Sequence, residues 1–328
     1  MLTPVSVLTG FLGSGKTTLL NRMLKSPALA ETAVLINEFG EVPIDHLLVR
    51  ESSESISVLD SGCICCSVQG DLVQALRDLH FKRANKEVPA FKRVIIETTG
   101  LADPAPILHT LIEMPIVSAR YSLSGVITTV DAVHGNAQLN SRFESVKQAA
   151  VADRLVITKP DASSPADLAR LRARLLDLNP TARIFAAEMG AVDPENLLDT
   201  GLYQPTGKTP DVAKWLNVAA LRPLTYSGGA AKLFRPRSSP KSAHDVRIRA
   251  FAIQFEEPVV WDGLMDGLSM LLTLRGDQIL RVKGVVNAVD STRPRVIHAV
   301  HHTLYPDATL PAWTGPGRST QLVFIVMD

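Results

Sequence analysis

The chain has 328 residues, 46% of them hydrophobic and 20% charged, with 34 Lys+Arg against 33 Asp+Glu and a formal net charge of +1. That length accommodates one substantial core and a smaller second domain, and so even a charge balance gives no electrostatic ground for a DNA, RNA or membrane partner. No apolar stretch approaches the roughly 20 residues that cross a bilayer, and the first strand starts too early to spare a cleavable targeting peptide, so a cytoplasmic protein is expected.

The first element is a phosphate-binding loop, Gly10-Phe11-Leu12-Gly13-Ser14-Gly15-Lys16-Thr17-Thr18. It lies between an apolar run (Val5, Val7, Leu8) and a helical one (Leu19, Leu20, Met23, Leu24), the only context in which the pattern has meaning. Gly10, Gly13 and Gly15 let the backbone wrap around anionic oxygens. The N–H groups from Ser14 to Thr18 then point at those oxygens from a helix N-terminus. Lys16 reaches the β/γ-phosphates and the Thr17 hydroxyl ligates Mg²⁺. Binding of a nucleoside triphosphate is expected.

All three cysteines lie in Cys63-Ile64-Cys65-Cys66, which leaves nothing for a disulfide framework to staple. In an extended segment, alternation turns Cys63 and Cys65 to one side, and Cys66 swings in from the next position. Such thiolates form a soft site for Zn²⁺ or Co²⁺, with S–metal distances of about 2.3 Å for zinc. They are too few for a closed Cys₄ shell, and an incomplete shell suits a carrier that must release its ion. A thiol redox switch and simple apolar packing are the competing readings.

Further on, Val94-Ile95-Ile96 runs into Glu97-Thr98-Thr99-Gly100-Leu101-Ala102-Asp103-Pro104. An acid at the carboxyl end of a buried strand sits where phosphoryl-transfer enzymes hold Mg²⁺. Gly100 offers an N–H to the γ-phosphate and a pivot that moves when it leaves. With Lys16 and Thr17, Glu97 and Gly100 form the expected catalytic set. Leu155-Val156-Ile157 then leads to Thr158-Lys159-Pro160-Asp161. A carboxylate at Asp161 accepts the N1–H and 2-amino donors of guanine, which adenine lacks, and the Lys159 stem lies across the base. GTP is therefore expected over ATP. Thr158 replaces the usual asparagine, which predicts the weakening of one bracing contact.

Between these motifs, strands are predicted at Val5–Leu8, Ala33–Ile36, Ile56–Leu59, Val94–Ile96, Gly125–Val130, Arg154–Ile157 and Ile184–Ala187. Helical stripes fall at Leu72, Leu76, Leu79 and at Leu168, Leu171, Leu175, Leu178, the second preceded by the capping run Ser163-Ser164-Pro165. Strands alternating with helices predict an α/β domain with a mostly parallel, doubly wound sheet over residues 1–204. Residues 205–245 are rich in Pro, Gly, Lys and Arg and read as a basic linker. A smaller α+β domain is expected at 246–328, with strands at Ile248–Phe255, Ile279–Val286, Arg295–His301 and Gln321–Val326 and a helix through Trp261, Leu264, Leu268, Leu271 and Leu272. Alternation would put His298 and His302 on one strand face, read as an exposed polar face in preference to a second metal site. His46 and His109 are candidates to complete the cysteine site.

Gly10–Thr18, Asn37-Glu38-Phe39-Gly40-Glu41, Ser61-Gly62-Cys63-Ile64-Cys65-Cys66, Glu97–Pro104 and Thr158–Asp161 together resemble the CobW-like GTPases, which belong with UreG and HypB among GTPases that serve metal insertion. Arg281-Val282-Lys283-Gly284 and Gln321-Leu322-Val323-Phe324-Ile325 resemble the family's C-terminal domain. The resemblance implies a P-loop NTPase fold and places the cysteine loop near the switch segments, with Glu38 and Glu41 as neighbouring acids. It implies a Mg²⁺-dependent GTPase that carries a transition metal, Zn²⁺ or Co²⁺, to a client metalloprotein; with no arginine finger or attacking-water base to be named in the sequence, slow intrinsic turnover is expected. The chain lacks the long His-rich loop of many zinc-handling relatives. A small-molecule kinase and a nucleotide-dependent metal or redox sensor are the alternatives. Client, metal and oligomeric state, a homo-oligomer included, are left open.

Overall fold

The computed structural model of the chain describes residues 2–37, 47–50, 56–59, 68–198, 216, 221–224, 231–236, 248–313 and 317–327. Two compact units emerge, one comprising Met1–Gln148, Ala152–Leu168 and Ile184–Thr200, the other Ala149–Val151, Ala169–Arg183 and Gly201–Asp328.

The first unit is built on eight strands: β1 (Thr3–Gly10), β2 (Thr32–Asn37), β3 (Leu47–Arg50), β4 (Ile56–Leu59), β5 (Arg93–Thr98), β6 (Tyr121–Asp131), β7 (Arg154–Thr158) and β8 (Arg183–Ala187). Their order in the sheet is β4-β3-β2-β5-β1-β6-β7-β8. The pairs β2/β5, β5/β1, β1/β6 and β6/β7 are parallel. The predicted strand Ile56–Leu59 is present but antiparallel, carried with β3 as an edge ribbon on β2. Helices α1 (Lys16–Met23), α2 (Val68–Ala84), α3 (Ala105–Glu113), α4 (Pro115–Ser118), α5 (Gly135–Ser141), α6 (Phe143–Ala150), α7 (Pro165–Leu178) and α8 (Pro194–Leu198) connect the strands.

Strand alternation explains the layering. Leu8, Val34, Ile95, Ile127 and Val156 share one face of the sheet and pack with Leu19, Leu20 and Met23 of α1 and Leu197 and Leu198 of α8. Their neighbours Val7, Ala33, Ile96, Val126 and Leu155 point the other way and are equally buried, so both faces are covered. Each buried Val, Leu, Ile or Met among them contributes about 1.5–3 kcal/mol by leaving water. Leu72, Leu76 and Leu79 of α2 are buried as their spacing predicts. The start of α7 carries a reciprocal cap in which Ser164 Oγ accepts the Asp167 N–H at 3.1 Å and donates to its carboxylate at 2.7 Å.

The second unit holds β9 (Leu221–Leu224), β10 (Ala231–Pro236), β11 (Ile248–Phe255), helix α9 (Trp261–Arg275), β12 (Ile279–Val286), β13 (Arg295–Val300), β14 (Thr303–Leu304), β15 (Ala308–Thr309) and β16 (Thr320–Met327). The antiparallel sheet runs β14-β13-β12-β16-β11-β10-β9, with β15 on β13. Leu268 and Leu272 of α9 pack on Val282, Ile297, Leu322 and Phe324, and the Phe251 and Phe324 rings stack at 5.3 Å. Two strands, β9 and β10, thus lie within the 205–245 segment that reads as linker from composition, and they extend the C-terminal sheet beyond β11.

The histidine reading is corrected here. β13 ends at Val300, and His301 adopts φ 50°, so the alternation that aligned His298 with His302 stops before it reaches the latter. His298 is buried and stacks on Tyr305 at 3.8 Å, whereas His302 is exposed beside Asp277. Among the described residues no group of three or more His, Cys, Asp or Glu is placed to hold a metal ion, and no helix is long and apolar enough to cross a membrane.

Candidate functional site

Because β5, β1, β6 and β7 run parallel, their carboxyl ends deliver Thr98, Gly10, Asp131 and Thr158 to a single edge of the sheet, the edge where open α/β sheets bind ligands. The phosphate loop begins there. Gly10 has φ 142°, and a Cβ at this position would overlap Thr129 Oγ1, the Thr129 carbonyl and Ser14 Oγ, so no larger residue fits. Ser14 is fully buried and its Oγ bonds Thr129 Oγ1 at 2.7 Å. Thr98 Oγ1 donates to Thr9 Oγ1 at 2.8 Å. A row of hydroxyls under the loop therefore holds its backbone before any ligand contributes. That is preorganisation by buried, satisfied polar groups.

Lys16 opens α1 and folds back, its Nζ donating to the carbonyls of Gly10 at 2.9 Å and Phe11 at 3.2 Å. Burial pulls its pKa below the ordinary lysine value, and the Glu97 carboxylate partly offsets this. Glu97, buried near the end of β5, accepts a 2.6 Å hydrogen bond from Thr17 Oγ1. A hydroxyl and a carboxylate so close, beside an ammonium and a ring of N–H groups, form a hard oxygen pair that fits Mg²⁺. Thr18 follows in the first turn of α1. Gly100 lies two residues beyond β5 and packs against Leu12, where a Cβ would come within 2.5 Å of Leu12 N.

At the other end of the site, Thr158 Oγ1 lies 2.8 Å from the Ser14 carbonyl, to which it donates, and 3.3 Å from the Val130 carbonyl. The Thr158 hydroxyl thus reaches the phosphate loop directly and braces it. Lys159 sits at φ 54°, a left-handed conformation uncommon for a residue with a side chain. Its Nζ donates to the Gly13 carbonyl at 2.9 Å and pairs with Asp131 Oδ2 at 2.6 Å. Asp131 also accepts the Val133 and His134 N–H groups at 2.7 and 3.1 Å. Burial by itself would raise the Asp131 pKa; hydrogen bonds from Lys159, His134 and Val133 outweigh it and hold the carboxyl below its usual range. Asp161 follows in a short 3₁₀ turn (Pro160–Ala162) and is exposed.

Comparison with known proteins agrees with this arrangement. Residues 4–186 match the family described as CobW/HypB/UreG, nucleotide-binding domain, and residues 248–328 match the cobalamin synthesis protein cobW C-terminal domain. The chain belongs to the CobW/HypB/UreG family. Within it, the chain is 32% identical over 321 residues to the zinc chaperone YjiA of Escherichia coli, covering 98% of this chain and 93% of that one. It is 26% identical over 353 residues to the zinc-regulated GTPase metalloprotein activator 1 of Saccharomyces cerevisiae, covering 98% of this chain and 79% of that protein. The crystal structure of Zn(II)-bound YjiA GTPase from E. coli superposes with a TM-score of 0.72 at 26% identity, over all of this chain and 95% of the other.

In this CobW/HypB/UreG member the structure gathers Gly10, Gly13, Ser14, Gly15, Lys16, Thr17, Thr18, Glu97, Gly100, Thr158, Lys159 and Asp161 around the ends of four strands. The proposed cargo ligands Cys63, Cys65, Cys66, Glu38 and Glu41, together with His46, lie outside the described residues. His109 is exposed on α3. Sequence reasoning missed Thr129 and Asp131, which close β6 and hold the phosphate loop and Lys159. The polar ending of a strand otherwise as apolar as Gly125-Val126-Ile127 was the available signal.

Proposed function

We propose that this chain is a GTP-hydrolysing metallochaperone. The observation that carries the reading is the 2.6 Å Thr17–Glu97 pair beside Lys16, at the same sheet edge as Lys159 and Asp161, in a chain homologous over nearly its whole length to a zinc chaperone. Lys16 would exchange the Gly10 and Phe11 carbonyls for β/γ-phosphate oxygens, and the loop N–H groups would take the remainder. Thr17 and Glu97 would hold Mg²⁺, which, when bound, neutralises charge on the phosphate oxygens. Asp161 would select guanine through its N1–H and 2-amino donors, with the Lys159 stem across the base.

Cys63, Cys65 and Cys66, with Glu38 and Glu41 nearby, would carry the transition metal, with Zn²⁺ favoured over Co²⁺ by the relatives' names. Loss of the γ-phosphate would relax the segment after Glu97 and the one around residues 38–45. Metal affinity would change with nucleotide state, and nucleotide affinity with metal, by the same factor. The deciding measurement is Zn²⁺ affinity of the full chain with a non-hydrolysable GTP analogue and with GDP. An affinity at least about fivefold tighter with the analogue is expected, the lower end of ordinary coupling. Equal affinities would overturn the carrier reading and leave a nucleotide hydrolase.

A further inference from the structure

Lys147 and Gln148, neighbours on α6, both reach the segment that follows Glu97. Gln148 is fully buried, and its Nε2 donates to the carbonyls of Gly100 at 3.2 Å and Ala102 at 3.0 Å. Lys147 Nζ pairs with Asp103 Oδ2 at 2.8 Å, in a setting where the two side chains are only 22% and 34% exposed. Asp103 in turn accepts the Ala105 N–H through Oδ1 at 3.0 Å at the start of α3. Adjacent helix positions diverge by about 100°, so the two residues meet the segment at different points.

The grip has a firm base. Thr128 Oγ1, on β6, donates to the Gln148 carbonyl at 2.8 Å, while its neighbour Thr129 faces the other side of the strand and bonds Ser14. One strand thereby anchors both the phosphate loop and the residue that holds the segment over it. Lys147 is steadied by the Phe143 ring one helical turn back, 5.1 Å away. Gln148 and Lys147 take hold of carbonyls and a carboxylate, not of N–H groups, so the Gly100 N–H stays available to an anionic oxygen. Gly100 itself touches the loop at Leu12.

Two polar atoms at this place stay unmatched. Gln148 Oε1 and Thr99 Oγ1 are buried without a hydrogen-bond partner among the described residues. Buried orphans are costly, and these two sit where residues 99–103 meet α6 beside the phosphate loop.

We propose that Lys147 and Gln148 are positioning residues of the nucleotide cycle: they hold residues 99–103 against the phosphate loop and set how strongly the site distinguishes a triphosphate from a diphosphate. The proposal rests on the GTPase reading above and is independent of the metal. It is tested on the full chain with Gln148→Leu, Lys147→Met and the conservative Lys147→Arg, measuring affinities for GDP and a non-hydrolysable GTP analogue, GTP turnover and melting temperature. Gln148→Leu should lower the analogue-to-GDP affinity ratio and kcat each by about tenfold while GDP affinity stays within about twofold, the pattern of an interaction used in only one state.

Lys147→Met should show the same pattern at about threefold, and Lys147→Arg should restore it. Should Gln148→Leu fail to fold, Lys147→Met, Asp103→Asn and their double variant decide, with non-additive effects on the ratio expected. Folded variants with wild-type ratio and wild-type turnover, or additive effects in that cycle, would overturn the proposal. A wild-type chain that neither hydrolyses GTP nor distinguishes the two nucleotides would overturn the GTPase reading and this proposal with it, an outcome that the wild-type control separates from failure of the clamp alone.

Discussion

Asp161, the residue proposed to select guanine, sits in a simple setting. It stands exposed just beyond β7, two residues after Lys159, whose side chain bonds Gly13 and Asp131 and whose backbone is left-handed. Asp161→Asn would present an amide N–H to a base that already offers N–H groups, and it would suit the C2 carbonyl of xanthine. GTP affinity should fall by about a hundredfold or more, with XTP binding gained, as expected where a polar complement is removed. Unchanged guanine preference in competition assays would remove Asp161 from base recognition. Thr158 carries a separate lesson. Its identity departs from the usual asparagine, yet its hydroxyl reaches the Ser14 carbonyl because β7 ends beside the phosphate loop. A side chain's reach depends on where the backbone puts it, and residue type alone could not reveal that.

The elements were legible wherever the hydrophobic period was strong. The parallel strands, with continuous apolar runs, and the α2 stripe fall where the pattern places them. β9 and β10 did not announce themselves, because Pro223 and Pro236 read as breakers; β9 is the edge of its sheet, where a residue without an N–H is tolerated. Contacts between elements were likewise unreadable. Tyr121, at the start of β6, donates its phenol to the Leu76 carbonyl of α2 at 2.9 Å. Burial, partly offset by Arg83 and Arg120, pushes its pKa up to about 12. Because the folded-state value is raised, the contribution is fully present below the ordinary tyrosine pKa of about 10 and is lost as pH climbs through 12. Tyr121→Phe should cost about 1 kcal/mol at neutral pH. It should also flatten the alkaline fall in stability, as followed by denaturant unfolding at pH 8 and at pH 11. An equally steep fall in the variant would rule the phenol out as its source.

At the scale of the molecule, family membership covers both units, since the nucleotide-binding match spans residues 4–186 and the C-terminal match 248–328. The nucleotide chemistry belongs to the first of these, and the cysteine cluster sits within the same stretch of chain. Replacing Cys63, Cys65 and Cys66 by serine should therefore lower Zn²⁺ affinity by about a hundredfold or more, because a soft thiolate shell is lost. GTP binding should change by less than about threefold, since the phosphate loop makes no use of sulfur. Calorimetric titration of both ligands checks this, and retention of full zinc affinity would move the site elsewhere. The sequence alone determined the phosphate loop and the two-part α/β plus α+β plan, and it singled out Asp161 as the candidate for selecting guanine. Those depend on short spacings and on apolar periods that any chain must obey locally. The tertiary structure alone decided that Thr128, Thr129, Asp131, Lys147 and Gln148 tie the loops together. Those contacts join residues distant along the chain, which only the order and direction of strands in the sheet bring within hydrogen-bond reach.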